Sequence, residues 1–287
     1  MSQRCLVVVD SSASIPEALV RRWGLDVVPL EVIIDGEPFT EGPGMTSEDV
    51  IGALEAGRSV TTSQPTVGNL LKAYRSAADA GAESVVSIHI SGEVSGSINA
   101  AEVAARESPI PIEIVDSRTL SMALGFAALA AAALARKGAA MAEVAREARR
   151  VAASSSVYFT VDTLEYLRRG GRVPHALAII GGALNIRPIL GMMDGQVEAF
   201  DRVRTTARAR ERVIEMIEER ASHFLRPGVA IMGLRIPRYI DDVAIRLKDK
   251  HPVYAITVGT EFSAALAVHG GSGSFVIAAA DLPRGFQ

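Results

Sequence analysis

Three short stretches hold residues able to grip an anion. "HISGEVSGSINAA" (89–101) sets Ser91, Gly92, Ser95, Gly96 and Ser97 between an apolar run and a helix-like segment. Small hydroxyl residues ahead of a helix are N-cap chemistry, and the free N–H groups and dipole there also suit a negative group. "VTTSQPTVGNLL" (60–71) gathers Thr61, Thr62 and Ser63, with Pro65 near the start of another helix. "VHGGSGSF" (268–275) places His269 before Gly270, Gly271 and Gly273. It reads as a glycine-rich loop whose backbone approaches a ligand closely, beside a ring that donates from either nitrogen. "LRRGGRV" and "DRVRTTARAR" cluster Arg168, Arg169, Arg172, Arg202, Arg204 and Arg208, the residue type suited to phosphates and charged interfaces. Each stretch has a plainer reading as well: two capped helices, a turn with a surface histidine, and a solvated charged face.

Other chemistry is missing from the sequence. There is no G-x-x-x-x-G-K-[ST] phosphate loop, no G-x-G-x-x-G opening the first helix and no G-x-S-x-G elbow. No H-E-x-x-H or Cys/His cluster supports a metal. No metal site and no cofactor are expected.

The elements that position these stretches come in two sets. In the first half, strand-like runs ("RCLVVVD", "LDVVPLEVIIDG", "SVVSIHI", "IPIEIVDS") alternate with helices, predicting a parallel sheet with helices packed on it. Ligands sit outside the carboxyl ends of such strands. Asp10-Ser11-Ser12, Ser91–Ser97 and Asp116-Ser117 all follow strand ends, so three Ser-rich turns are expected to converge on one crevice. "TSEDVIGALEAG" reads as a helix capped by Thr46, with Asp49 completing a near capping box. The second half has short helices at 164–173 and 175–185, then a hairpin turning at Asp194-Gly195, then strand–helix–strand units. The expected fold class is α/β in two domains. Residues 1–155 form an N-terminal parallel-sheet domain, and 156–287 form a C-terminal α+β domain.

The 287 residues are 48% hydrophobic and 22% charged, with a formal net charge of −3. That balance, without basic runs interleaved with aromatics, argues against a nucleic-acid partner. The single cysteine, Cys5, lies in an apolar run and reads as a core residue, which fits a reducing cytoplasm. No signal peptide is expected. "TLSMALGFAALAAAALA" (119–135) falls just short of a membrane span and reads as a buried helix.

Eight segments in order resemble the DegV family over nearly the whole chain. They are "VVVDSSASIP", "TTSQPTVGNLLKAY", "ISGEVSGSINAA", "IVDS", "LEYLRRGGRV", "LNIRPIL", "DRVRTTARAR" and "HGGSG". The resemblance implies a protein that holds a long-chain fatty acid in a buried tunnel. Such a protein presents the carboxylate to a separate ATP-using fatty acid kinase subunit, which makes an acyl phosphate for phospholipid synthesis. On this resemblance the carboxylate falls to Thr62, Ser63, Ser95, Gly96, Ser97 and His269. Arg172 and Arg204 fall in the family's "GGR" and "VRT" positions and would face the phosphate or the kinase, and Arg187 lies in "NIRP". No residue would be catalytic in itself. The partners would be the fatty acid, the kinase and, transiently, a membrane during lipid exchange, with no transmembrane segment. Two departures stand out: Ser272 where the family's histidine loop commonly has Pro, and Glu93 within "SGEVSGS". The alternative is an enzyme, a small-molecule transferase or hydrolase using Ser95 or His269 in the same crevice.

Overall fold

The structure, a computed structural model, describes residues 5–42, 44–173, 186–259 and 262–284. The helix expected over 175–185 lies outside the described residues.

A four-stranded parallel sheet is built from β1 (Cys5–Asp10), β2 (Asp26–Val28), β6 (Ser84–His89) and β7 (Ile112–Asp116), in the order β2-β1-β6-β7. Its strands are apolar on both faces because both are covered. Val8 and Val85 pack with Leu70, Tyr74, Ala100 and Ala104, from α3 (Val67–Asp79) and α4 (Ser97–Arg106). Val7, Val9, Val86, Ile88 and Val115 join the core of α5 (Ser121–Ala135) and α6 (Met141–Ser154). Cys5 lies in that same core, where burial raises its thiol pKa.

The second sheet has six strands, in the order β10-β9-β8-β13-β11-β12. They are β8 (Ser156–Thr160), β9 (Arg187–Met193), β10 (Gln196–Val203), β11 (Pro227–Gly233), β12 (Ala255–Gly259) and β13 (Phe275–Asp281). Antiparallel pairs dominate it, with only β11 and β12 parallel. The expected turn joins β9 and β10, and both its residues take positive φ, Asp194 at 51° and Gly195 at 84°. Such a turn matches strand twist. The outer face packs on α8 (Thr206–Ala221) and α9 (Pro237–Lys250). The inner face shares its core with α5.

The helix α5 is therefore walled in between the two sheets, touching β1 on one side and β13 on the other. Nearly all its side chains are buried, which explains a segment apolar all round with no polar face. Its alanines let both sheets approach closely. No helix among the described residues is long and apolar enough to cross a membrane.

One prediction for the first half needs correction. The segment 25–36 is not a single strand of the parallel sheet. It breaks at Pro29-Leu30, and β3 (Glu31–Ile34) leaves to form a separate antiparallel sheet, in the order β4-β3-β5. Its partners are β4 (Glu37–Thr40) and β5 (Val60–Ser63). So Thr61, Thr62 and Ser63 sit on a strand rather than at a helix start. The cap of α3 is Thr66, which accepts from Asn69 N–H at 3.1 Å. In α2 (Ser47–Glu55) the capping box of Thr46 and Asp49 is complete.

Candidate functional site

A cavity of about 220 Å³ opens where the three sheets meet. Its body is apolar. Leu30 comes from the turn before β3, Leu120 from the start of α5, and Phe159 and Val161 from the end of β8. Val197 on β10 and Val276 on β13 complete it, with Phe262, Ala265 and Leu266 around α10 (Ala264–Gly270).

One end of the cavity is polar, formed by Thr62, Ser63, Gln64, Ser95, Gly96, Arg172 and His269. Thr62 Oγ1 and His269 Nε2 lie 3.0 Å apart. His269 is not on a glycine loop as the sequence suggested. It occupies the last turn of α10, and the glycines follow it. Its ring does not donate freely from both nitrogens either. Nε2 is engaged by Thr62, while Nδ1 is enclosed and has no partner among the described residues. Nδ1 faces Gly170, the last residue of α7 (Glu165–Gly170); a Cβ there would fall 2.3 Å from it. Burial, then the nearby guanidinium of Arg172, lowers the His269 pKa to about 4. The imidazole is thus neutral at pH 7.

The serines divide their work. Ser95 lines the cavity, and its Oγ lies 2.9 Å from Ser97 Oγ. Ser97 is fully buried behind it, supports Ser95, and does not line the cavity. The N-cap of α4 is Gly96, without a side-chain cap; Ser97 N–H donates instead to Ser95 Oγ at 3.3 Å. Gln64, which sequence reasoning passed over, lies against Gly96 so tightly that a Cβ at Gly96 would collide with its amide.

Only one of the three Ser-rich turns supplies the cavity. The turn after β7 is spent internally: Asp116 accepts from Gly92 N–H at 3.3 Å and Arg118 N–H at 2.8 Å. The turn after β1 is spent likewise. Asp10 accepts from Ser12 N–H (3.1 Å), Ser12 Oγ, Ile90 N–H (2.9 Å) and His89 Nδ1 (3.1 Å). His89 Nε2 meets Ser87 Oγ at 2.8 Å, and Tyr74 donates to the same oxygen at 2.9 Å. Asp10, His89 and Ser87 have the order of a catalytic triad, but all three are fully buried and none borders this cavity or the two grooves beside it. They form a structural strut.

Two polar grooves adjoin the cavity. One includes Gly92, Glu93, Ser95 and Gln196, and the other includes Arg58, Thr62, Arg169 and His269. Arg172 borders both grooves and the cavity. Its guanidinium donates to Val94 O and Gly170 O, and no carboxylate pairs with it among the described residues. By contrast, Arg168 and Arg169 are both tied to Glu165. Glu93 points out to Arg118, at 3.8 Å, and to Gln196. Ser91 Oγ donates to Gly195 O at 2.7 Å, so the tip of the β9–β10 hairpin docks on this turn. Arg204 is exposed on the bend between β10 and α8 and borders none of these spaces. Arg187 donates to Asp162 O. No metal-ligating cluster occurs among the described residues.

The fold is a helix pair between a parallel and a mixed sheet, enclosing a largely apolar cavity with hydroxyls and a neutral imidazole on its wall. A family model described as "Uncharacterised protein, DegV family" matches residues 4–281, and the chain belongs to that family. A DegV domain-containing protein of Streptomyces coelicolor is 39% identical over 273 residues, 95% of this chain and 97% of that one. Another, from Deinococcus radiodurans, is 32% identical over 95% of this chain and 96% of its own length. Among solved structures, a fatty-acid-binding DegV family protein from Thermus thermophilus superposes with a TM-score of 0.88. It is 30% identical, covering 97% of this chain and 100% of that one. DegV of Bacillus subtilis, described as a fatty acid binding protein, also gives 0.88 at 28% identity, covering 97% and 99%.

Proposed function

We propose that this chain binds a long-chain fatty acid, with the acyl chain in the apolar cavity and the carboxylate at its polar end. The observation that carries the reading is the Thr62–His269 contact, set beside Ser63, Ser95 and Gly96 in a cavity lined mostly by apolar side chains. Each buried methylene contributes about 0.8 kcal/mol, before the costs of association. A carboxylate left unpaired would cost several kcal/mol, so the head needs donors. Thr62, Ser63, Ser95 and His269, with the backbone at Gly96, supply them. Ser97 contributes by holding Ser95.

The protein then acts as a carrier rather than as a complete enzyme. A separate ATP-dependent kinase would phosphorylate the presented carboxylate, and the acyl phosphate would enter phospholipid synthesis. Arg172, at the edge of both polar grooves, and Arg204, exposed beside α8, would face the phosphate or the kinase. The division near residue 155 belongs to the same reading: the head group draws on both halves of the chain. Ser95 and His269 are not hydrogen-bonded to each other, and among the described residues no group pairs with His269 Nδ1 to orient the ring as a base, which weighs against a nucleophile–base pair.

Native mass spectrometry of the purified protein, followed by analysis of its denatured extract, tests this. A bound mass that resolves into a fatty acid, lost in a combined Thr62→Ala, Ser95→Ala, His269→Ala variant, is expected. A ligand-free mass with no uptake of added fatty acid would overturn it.

A further inference from the structure

Glu41, just past β4, carries a carboxylate that no sheet ladder uses and that does not border the cavity. Its Oε2 accepts from Ser11 Oγ at 2.5 Å and from Ser263 Oγ at 3.2 Å, and its Oε1 accepts from Ala264 N–H. Ser11 Oγ in turn accepts from Leu30 N–H at 2.9 Å, and Ser14 Oγ accepts from Ser263 N–H at 3.0 Å. Three segments therefore meet at one side chain: the turn after β1, the loop after β4 and the first residues of α10.

That helix is seven residues long, too short to hold its place by its own backbone bonds. It nonetheless brings Ala265, Leu266 and His269 to the cavity. We propose that Glu41 is a positioning residue for the ligand head: by pinning the N-terminus of α10 it sets the ring of His269, at the other end of that helix, against Thr62. This rests on the fatty-acid reading of the cavity. Burial raises the Glu41 carboxyl above its ordinary range against the pull of its three donors. Asp10, at the end of β1, is the charged group facing it and acts in the same direction.

The test is Glu41→Gln, read by melting temperature, palmitate affinity and NMR titration of the His269 ring. The variant is expected to fold, to bind palmitate about tenfold more weakly through loss of a charge-assisted anchor, and to shift the His269 titration upward as the ring loosens. A role in stability alone would leave that titration where it is. A folded variant with wild-type affinity and wild-type titration overturns the proposal. Should the variant not fold, amide exchange in the wild-type protein decides. Protection of α10 should fall as Glu41 protonates while α5 stays protected; an α10 indifferent to pH overturns the proposal. A wild-type protein that takes up no palmitate would sink the fatty-acid reading, and the ring titration and amide exchange would still judge Glu41.

Discussion

Thr62 and His269 stand 207 residues apart in sequence and 3.0 Å apart in space. One comes from an edge strand of the small antiparallel sheet and the other from the last turn of α10. Replacing Thr62 by Val keeps the shape and removes the ring's one hydrogen-bond partner among the described residues. Titration calorimetry with palmitate should show about a tenfold loss of affinity, the worth of one good hydrogen bond at a charged head, and Thr62→Ser should restore most of it.

The ring itself predicts a pH dependence. In the ligand-free protein the His269 pKa is about 4, below its ordinary 6.5, through burial and Arg172. Between those values the unfolded chain holds a proton that the folded one does not, so stability falls as pH drops through the window. Thermal melts of His269→Asn should lose that part of the slope. A bound anion favours the charged ring, so binding should draw in protons. A chain-matched alkyl sulfonate, which does not titrate itself, should bind more tightly as pH falls toward 5, and His269→Asn should abolish the trend.

Gly170 and Gly96 give opposite forecasts for the same substitution. A Cβ at Gly170 meets the His269 ring at 2.3 Å, whereas at Gly96 it meets the end of the flexible Gln64 side chain. Gly170→Ala should lower the melting temperature by overpacking against the enclosed ring, displace the ring and weaken palmitate binding about as much as Thr62→Val. Gly96→Ala should cost less affinity because Gln64 can swing aside. Equal losses in the two would contradict the geometry.

The buried strut at Asp10 should matter for stability alone. Asp10→Asn turns one acceptor oxygen into an NH2 that faces N–H donors and leaves them unsatisfied, and about 2–4 kcal/mol should disappear in urea unfolding. If the folded fraction still binds palmitate with unchanged affinity, the strut has no part in ligand recognition.

Much of the fold was legible in the sequence because its signals are local. The Asp194-Gly195 hairpin, the Thr46–Asp49 capping box and the apolar α5 each follow from a few adjacent residues. The site was legible only in part. Thr62, Ser63, Ser95, Gly96, Arg172 and His269 all reach the cavity, but the local pattern misjudged how three of them are held. Hydroxyls beside a proline look alike on a strand edge and at a helix start, so β5 was mistaken for a cap. Glycines after His269 suggested a loop, although the preceding alanines close a helical turn. Ser97, expected at the cavity, lies behind Ser95, while Gln64, of which nothing was expected, lines it, since which polar residue faces inward depends on packing across the two halves. Glu41 left no signal: a lone acid in a loop reads as solvated until its distant donors are known.

The assembly of α10 against β5 also bears on the order of folding. The cavity walls come from early and late strands together, and His269 is followed in the chain by β13, the strand that joins β8 to β11, so the second sheet and the cavity close together. A nascent chain halted before α10 would leave apolar side chains such as Phe159 and Leu30 open to water. Contacts of such long sequence separation form slowly, which exposes the intermediate to aggregation. On the fatty-acid reading, a ligand present during synthesis would cover those side chains before α10 and β13 are in place.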